Sequence, residues 1–182
     1  MKVGIFDTET DKLISNSAIP LDKQPRIAEF FGIGIDHVKM KAKLRKGDKI
    51  DQLLTIGRPL SDESIRITGI EDDMLKGKPT FKEFAPNIVR WIEGHERIVA
   101  HNLSYDKEVV DMQMKLAGLR EINWPELICT VEATEYLHGY RLSLTALYED
   151  LFEEKFDNAH RAEGDVTALA RCYIELAKRG IV

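Results

Sequence analysis

Asp7 and Glu9 stand two residues apart where a short apolar run, Lys2 to Phe6, breaks into Asp7-Thr8-Glu9-Thr10. Such a run reads as a buried strand that delivers polar groups at its end. Side chains two apart on a strand leave the same face, so these carboxylates can converge, and converging carboxylates suit a shared divalent cation. A lone Asp-x-Glu is more often the ordinary solvated end of a strand. Asp106 closes the stretch His101-Asn102-Leu103-Ser104-Tyr105-Asp106, which follows a short apolar strand and opens a helix. An acid in a first helical turn is favoured by the helix dipole whether or not it ligates anything. Asp165 closes His160-Arg161-Ala162-Glu163-Gly164-Asp165, ahead of an amphipathic helix bearing Ala168, Leu169, Cys172 and Leu176. Five helical residues turn through about 500°, which leaves two such positions ~140° apart. His160 must therefore lie before the helix if it is to share a site with Asp165; a loop histidine is otherwise simply solvated.

These groups need elements to hold them. Asp11 to Pro25 is polar and carries Pro20 and Pro25, as a loop does, and Arg26 to Asp36 reads as a central strand with glycines for close packing. Val38 to Arg45 alternates, with Lys39, Lys41, Lys43 and Arg45 on one face. That face could track a phosphate backbone, but a solvated edge strand guarded by lysines accounts for it better. Gly47-Asp48 marks a turn, and Ile50 to Ile56 is expected to pair back antiparallel. Thr80-Phe81-Lys82-Glu83 has the form of a capping box, with Phe84, Ile88, Trp91 and Ile92 at helical spacing before Gly94. Arg97 to Ala100 is a short strand, and Ser104 is a candidate cap for a helix that stops at Gly118. Further helices are expected at Val131 to Leu137, Ser143 to Leu151 and about Glu163 to Lys178. Early strands in hairpins and a later one reached by a helical crossover make an α/β domain with a mixed sheet.

The composition narrows the setting. A chain of 182 residues with 43% hydrophobic content suffices for one globular domain, here taken as 1–182, with its own core. Cys129 and Cys172 fall in no CxxC or Cys/His spacing, which argues against a zinc site and a disulfide framework. No apolar run approaches the ~18 residues of a membrane span, and Met1-Lys2-Val3 leads into a strand, so a soluble cytoplasmic protein with no membrane partner is expected. A net charge of −5 tells against holding nucleic acid by phosphate neutralisation alone. Carboxylates that ligate a divalent cation would change that balance, because the ion itself grips phosphate.

Taken together and in order, the three motifs resemble the DEDDh exonucleases, the family that includes the proofreading subunit of bacterial replicative DNA polymerase and ribonuclease T. The pattern Asp-x-Glu-Thr, His-Asn-x-x-Tyr/Phe-Asp, His-x-x-x-x-Asp appears as Asp7 to Thr10, His101 to Asp106 and His160 to Asp165. Glu29, Thr68-Gly69-Ile70, Lys78-Pro79-Thr80-Phe81 and Ser143-Leu144 also look like family positions, so the resemblance covers nearly the whole chain. Two places depart from it: Thr68-Gly69-Ile70 stands where His-Gly-Ile is common, and Asp11-Lys12 where Thr-Gly is usual. Both lie near where the family holds the terminal nucleotide.

The resemblance implies a ribonuclease H-like mixed β-sheet flanked by α-helices and a 3′→5′ exonuclease acting on 3′ ends, single-stranded DNA foremost, with release of nucleoside 5′-monophosphates. It implies two Mg²⁺, with Mn²⁺ as a substitute, held by Asp7, Glu9, Asp106 and Asp165, with His160 as general base. Thr8, Thr10, Ile70, His101, Asn102 and Tyr105 would meet the substrate; Tyr105 and Ile70 could stack on or wedge the terminal bases, or simply pack. The chemistry independently asks for these types. In-line displacement at phosphorus develops charge on attacking and leaving oxygens, which two hard cations about 3.5–4 Å apart clamp. Oxygen ligands suit such cations, and an imidazole of ordinary pKa near 6.5 accepts a proton at neutral pH. His37, His95 and His138 show no partner pattern and read as structural or solvated. An RNA exonuclease of the ribonuclease T or oligoribonuclease sort, or a catalytically silent binding or polymerase-docking module, are the competing readings. A last helix that runs nearly to the chain end favours a free-standing enzyme over one tethered to a polymerase partner.

Overall fold

A computed structural model describes residues 1–12, 19–38, 41–156 and 161–182, and of residues 38 and 41–47 the backbone alone. His160 and Lys39, and the side chains of Lys41, Lys43 and Arg45, lie outside what is described. Three strands open the chain: β1 (Lys2–Thr10), β2 (Ile27–Val38) and β3 (Lys41–Leu53). Then come α1 (Asp62–Thr68), α2 (Asp72–Leu75), α3 (Phe81–Glu93), β4 (Arg97–Ala100), α4 (Leu103–Leu116) and β5 (Glu126–Cys129). The chain finishes with α5 (Thr130–His138), α6 (Leu144–Phe152) and α7 (Ala162–Lys178). The sheet runs β3-β2-β1-β4-β5, with β1, β2 and β3 antiparallel neighbours and β4 and β5 parallel to β1. This is the mixed, helix-flanked sheet expected.

Alternation along β1 decides what each face meets. Val3 and Ile5 point to one side, where Val166, Leu169 and Tyr173 of α7 cover them. Phe6 points to the other, into a cluster with Ile88, Trp91 and Ile92 of α3 and Val109, Val110 and Met114 of α4. The sheet is thus sandwiched between α7 and the α3–α4 pair. Gly4 and Gly32 are small because Trp91 crosses them: a Cβ at either would come within 2.9 Å and 2.6 Å of the indole. Truncating Trp91 would open this core at a cost of about 3–5 kcal/mol. The capping box before α3 is present, Thr80 accepting from Glu83 N at 3.3 Å and Glu83 accepting from Thr80 N at 2.7 Å.

Several expectations change. Gly47-Asp48 does not end a strand: residues 41–53 form one strand against β2, with a register shift between Ile33 and Ile35 absorbing the irregularity. Ile50 therefore pairs with β2, opposite Gly32, and not with its own upstream segment. Asn102, in the left-handed conformation at φ 62°, occupies the cap position of α4 that Ser104 was expected to hold. Helices α1 and α2 and strand β5 were not anticipated.

Candidate active site

The face rule that buries Val3 and Ile5 continues to the end of β1. Asp7 and Glu9 lie in the same row, pointing towards the start of α7, whose first turn carries Asp165. Oxygen atoms of Asp7, Glu9 and Asp165 all lie within 4.8 Å of one another, close enough to share one ion. Asp106 arrives from the opposite side of the sheet. The αL turn at Asn102 tips the chain from β4 straight into α4, a backbone state that asparagine tolerates better than most residues. This sets Asp106 in the first turn of α4, buried against the even-numbered side of β1. Its Oδ1 accepts from Thr8 N at 3.1 Å and from Thr8 Oγ1 at 2.7 Å. Strand β1 is therefore gripped between two helix N-termini, with carboxylates presented from both.

Four acids packed this closely repel one another and lose water. Burial first, then the charges of Asp106, Glu9, Asp165 and Glu29, raises the Asp7 carboxyl well above its usual range. Burial likewise pushes Glu9 up to about 8, with Asp165, Glu29 and Asp106 adding to it and Arg161 opposing. Asp106 rises to about 7 through burial, although both bonds from Thr8 favour its ionised form. Among the described residues no hydrogen bond or ion pair compensates Asp7 or Glu9. A hard divalent cation would, since the donor set is all oxygen and, among the described residues, no cation of the protein is bonded to Asp7 or Glu9. The residues present thus fit a divalent metal.

The other substrate candidates separate. Thr8 is committed to Asp106. Thr10 Oγ1 lies 2.8 Å from the Tyr105 hydroxyl, which also donates to Lys12 O at 3.3 Å, so the ring bridges α4 to the loop after β1. His101 turns inward: Nδ1 is 2.9 Å from Thr130 Oγ1 and Nε2 is 3.1 Å from Leu142 O. Burial lowers its pKa to about 4, so it is neutral at pH 7 and both nitrogens are used inside the protein. Ile70 is fully buried with Ala28, Leu60 and Leu75 and offers no face to a base. The turns that carry these two residues fold their side chains into the body of the domain. Asn102 remains at the rim, where its Oδ1 accepts from Arg141 at 2.9 Å.

Sequence reasoning gave no role to two acids. Glu29, 3% exposed, pairs in register with Glu9 and accepts from Arg161 Nη2 at 3.1 Å and from Ala162 N at 3.4 Å, pinning the start of α7 beside β2. A lone acid in an apolar strand, in the same row as buried Phe31, was the available signal. Asp11, at the first departure from the family pattern, is buried and paired with Arg58, and accepts from Arg26 N at 2.7 Å. At the second departure, Thr68 is buried and donates to Ser64 O at 2.9 Å within α1.

Comparison with known proteins agrees with this geometry. The family model RNase_T, described as an exonuclease, matches residues 5–173. The DNA polymerase III subunit epsilon of Pasteurella multocida is 31% identical over 150 residues, covering 79% of this chain and 58% of that protein. A PolC-type DNA polymerase III of Listeria welshimeri is 30% identical over 182 residues, covering 96% of this chain and 11% of that protein. The chain thus spans about a tenth of the PolC-type relatives it matches. Among solved structures, exonuclease X in complex with 5′ overhanging duplex DNA shares 27% identity at a TM-score of 0.65, over 98% of this chain and 93% of that one. The nuclease domain of 3′hExo, a DEDDh family member bound to rAMP, superposes at a TM-score of 0.78 with 19% identity, over 99% of this chain and 93% of that one, a likeness of fold.

Proposed function

The chain belongs to the RNase_T exonuclease family, and from that premise we propose that it is a single-domain 3′→5′ exonuclease that hydrolyses the terminal phosphodiester of DNA, single-stranded ends foremost, and releases nucleoside 5′-monophosphates. One observation carries this reading: Asp7, Glu9 and Asp165 bring ligand oxygens within 4.8 Å of one another with no cation of the protein bonded to Asp7 or Glu9 among the described residues. Two Mg²⁺, or Mn²⁺ in their place, would be held by Asp7, Glu9, Asp165 and Asp106; when bound they polarise the scissile phosphate and stabilise charge on the attacking and leaving oxygens. The chain's own part is positional. Glu29 and Arg161 fix the start of α7 so that Asp165 faces Asp7, and Thr8 fixes the Asp106 carboxylate. The backbone near Thr8 and Thr10 and the ring of Tyr105 border the place of the terminal nucleotide. His160, one residue before Arg161, takes the proton of the attacking water.

Similarity to polymerase III subunits and to exonuclease X supports DNA as substrate, and a DNA polymerase as a candidate partner. No helix among the described residues is long and apolar enough to cross a membrane, which is compatible with a cytoplasmic setting. The test incubates end-labelled single-stranded DNA, duplex DNA and RNA with the protein in Mg²⁺ and reads polarity and product size. Stepwise loss of 5′-mononucleotides from DNA 3′ ends is expected. Faster RNA turnover would move it to the RNA exonucleases, and no turnover at all would leave a binding module. His160→Ala should slow single turnover by roughly 10²–10⁴-fold with metal binding retained; rates within about threefold of wild type would remove His160 from the mechanism.

A further inference from the structure

Among the described residues the exposed large hydrophobics are Met1, Ile67, Tyr136, Leu137 and Tyr140, and the last three, 69%, 49% and 61% exposed, fall within five residues. They cap the end of α5 and the turn after it, where Gly139 takes a left-handed φ of 74° to reverse the chain. Tyr136 lies in the last turn of α5, and Tyr140, just past the Gly139 turn, sets its ring 6.2 Å from that of His138 in the same turn. The turn is anchored to the rim of the carboxylate cluster. Arg141 Nη2 donates to Asn102 Oδ1 at 2.9 Å, and Leu142 O lies 3.1 Å from His101 Nε2. Asn102 is the cap of α4 and Asp106 lies in its first turn, so the tyrosines belong to a segment docked about one helical turn, ~5–6 Å along the axis, from a candidate metal ligand.

We propose that Tyr136 and Tyr140, with Arg141 beside them, form a stacking platform for nucleotides upstream of the scissile bond in a single strand. The proposal rests on the exonuclease reading above, since it places the strand's 3′ end at the carboxylates. Exposed rings suit this occupant because every base presents a π-face, so stacking tolerates any sequence, as an exonuclease that clips whatever base comes next requires. Arg141 is half exposed, and its contact with Glu135 at 3.4 Å is a loose surface pair that a phosphate can displace. A protein docked on the same residues would stand at the mouth of the site. Glu135 opposes an anion, so the proposal also fixes the sign of its removal.

Fluorescence anisotropy with labelled oligothymidylates of two to twelve nucleotides, in Ca²⁺ to hold back cleavage, measures affinity against length. Tyr136→Ala/Tyr140→Ala should weaken the longer strands by about tenfold or more, the scale of one lost stacking contact, while barely changing the dinucleotide. Tyr136→Phe/Tyr140→Phe should bind as wild type, and Glu135→Gln should bind long strands more tightly. Hydrolysis of thymidine 5′-p-nitrophenyl phosphate in Mg²⁺, which has no upstream nucleotides, should be unchanged in the alanine pair. Equal affinity of wild type and the alanine pair at every length would overturn the platform and leave the patch to a protein partner. A parallel loss on the nitrophenyl ester would overturn it too, since the patch would then act by shaping the metal site. Wild type that binds with the tyrosine-dependent length profile yet hydrolyses neither substrate would sink the exonuclease reading and keep the platform.

Discussion

The end of strand β1 and the residue after it carry three acids within five residues, Asp7, Glu9 and Asp11, and the domain treats them in opposite ways. Asp11 is buried and answered by protein: Arg58 pairs with it, Arg26 N donates at 2.7 Å, and Ser61 Oγ reaches its carbonyl at 3.4 Å. Asp7 and Glu9 face a third acid, Asp165, and burial and mutual repulsion drive their pKa values up. A carboxylate whose charge is cancelled inside the chain is an anchor. Carboxylates crowded so that burial and mutual repulsion raise their pKa values destabilise the apoprotein, and a bound cation relieves that repulsion.

The largest effect that could break this contrast is on turnover. Asp7→Ala should lower kcat by at least roughly a thousandfold, because several kcal/mol of charge stabilisation go with a metal ligand. The same change should leave urea-induced unfolding nearly unaltered or shift it upwards, since it relieves repulsion. Asp11→Ala should do the reverse, destabilising the fold by about 2–4 kcal/mol. That lies below the figure for a fully enclosed pair because the Arg58 side chain is 28% exposed. Activity per folded molecule should largely survive. If Asp11→Ala abolished turnover while remaining folded, anchor and catalyst could not be told apart by their partners.

Much of this site could be read from the linear chain, for reasons that also explain what could not. Period-two alternation carries from Val3 through Glu9, so a shared face for Asp7 and Glu9 follows from strand geometry alone. The capping box at Thr80 and the glycine after α3 are local chemistry and were legible as such. Partnership is another matter, because it depends on segments far apart in sequence. Nothing near Asp11 announces Arg58, 47 positions on, nor does Glu29 announce Arg161, 132 positions on. Gly47-Asp48 has turn chemistry, but pairing with β2 overrides it and keeps the strand going. Strand β5 is four residues long and follows Pro125, too short for alternation to speak. His101 is read as a substrate group because its neighbours form a motif; its hydrogen-bond partners Thr130 and Leu142 lie 29 and 41 positions on and are announced by nothing near it.

A smaller effect sharpens the contrast through metal binding. Mg²⁺ should raise the melting temperature of wild type and of Asp11→Asn by similar amounts, and that of Asp7→Asn by less, because only the last has lost a ligand. Equal shifts for all three proteins in differential scanning fluorimetry would mean that the ion binds elsewhere.

The smallest expected effect is the pH dependence of the metal-free protein. Glu9 titrates near its ordinary 4.5 when unfolded and at about 8 in the native state, raised first by burial and then by Asp165, Glu29 and Asp106. Between about pH 4.5 and 8 the native state therefore keeps a proton that the unfolded chain has released. Native stability must fall as pH rises through that window and level off outside it, by at most about 1.4 kcal/mol per pH unit for each such carboxyl. Asp106, raised to about 7, adds a fall of the same sign over the lower part of the window. Glu9→Gln cannot release the proton, so its unfolding free energy in EDTA should decline less steeply than that of wild type from pH 5 to 8. Saturating Mg²⁺ should flatten the wild-type curve as well, because a bound cation replaces the proton, and the stabilisation it confers should grow with pH across the same range. Chemical denaturation at half-unit steps, with and without Mg²⁺, measures all three slopes. Parallel declines for wild type and Glu9→Gln in EDTA would show that Glu9 is not part of the mutually repelling cluster, and would put it in the same class as Asp11.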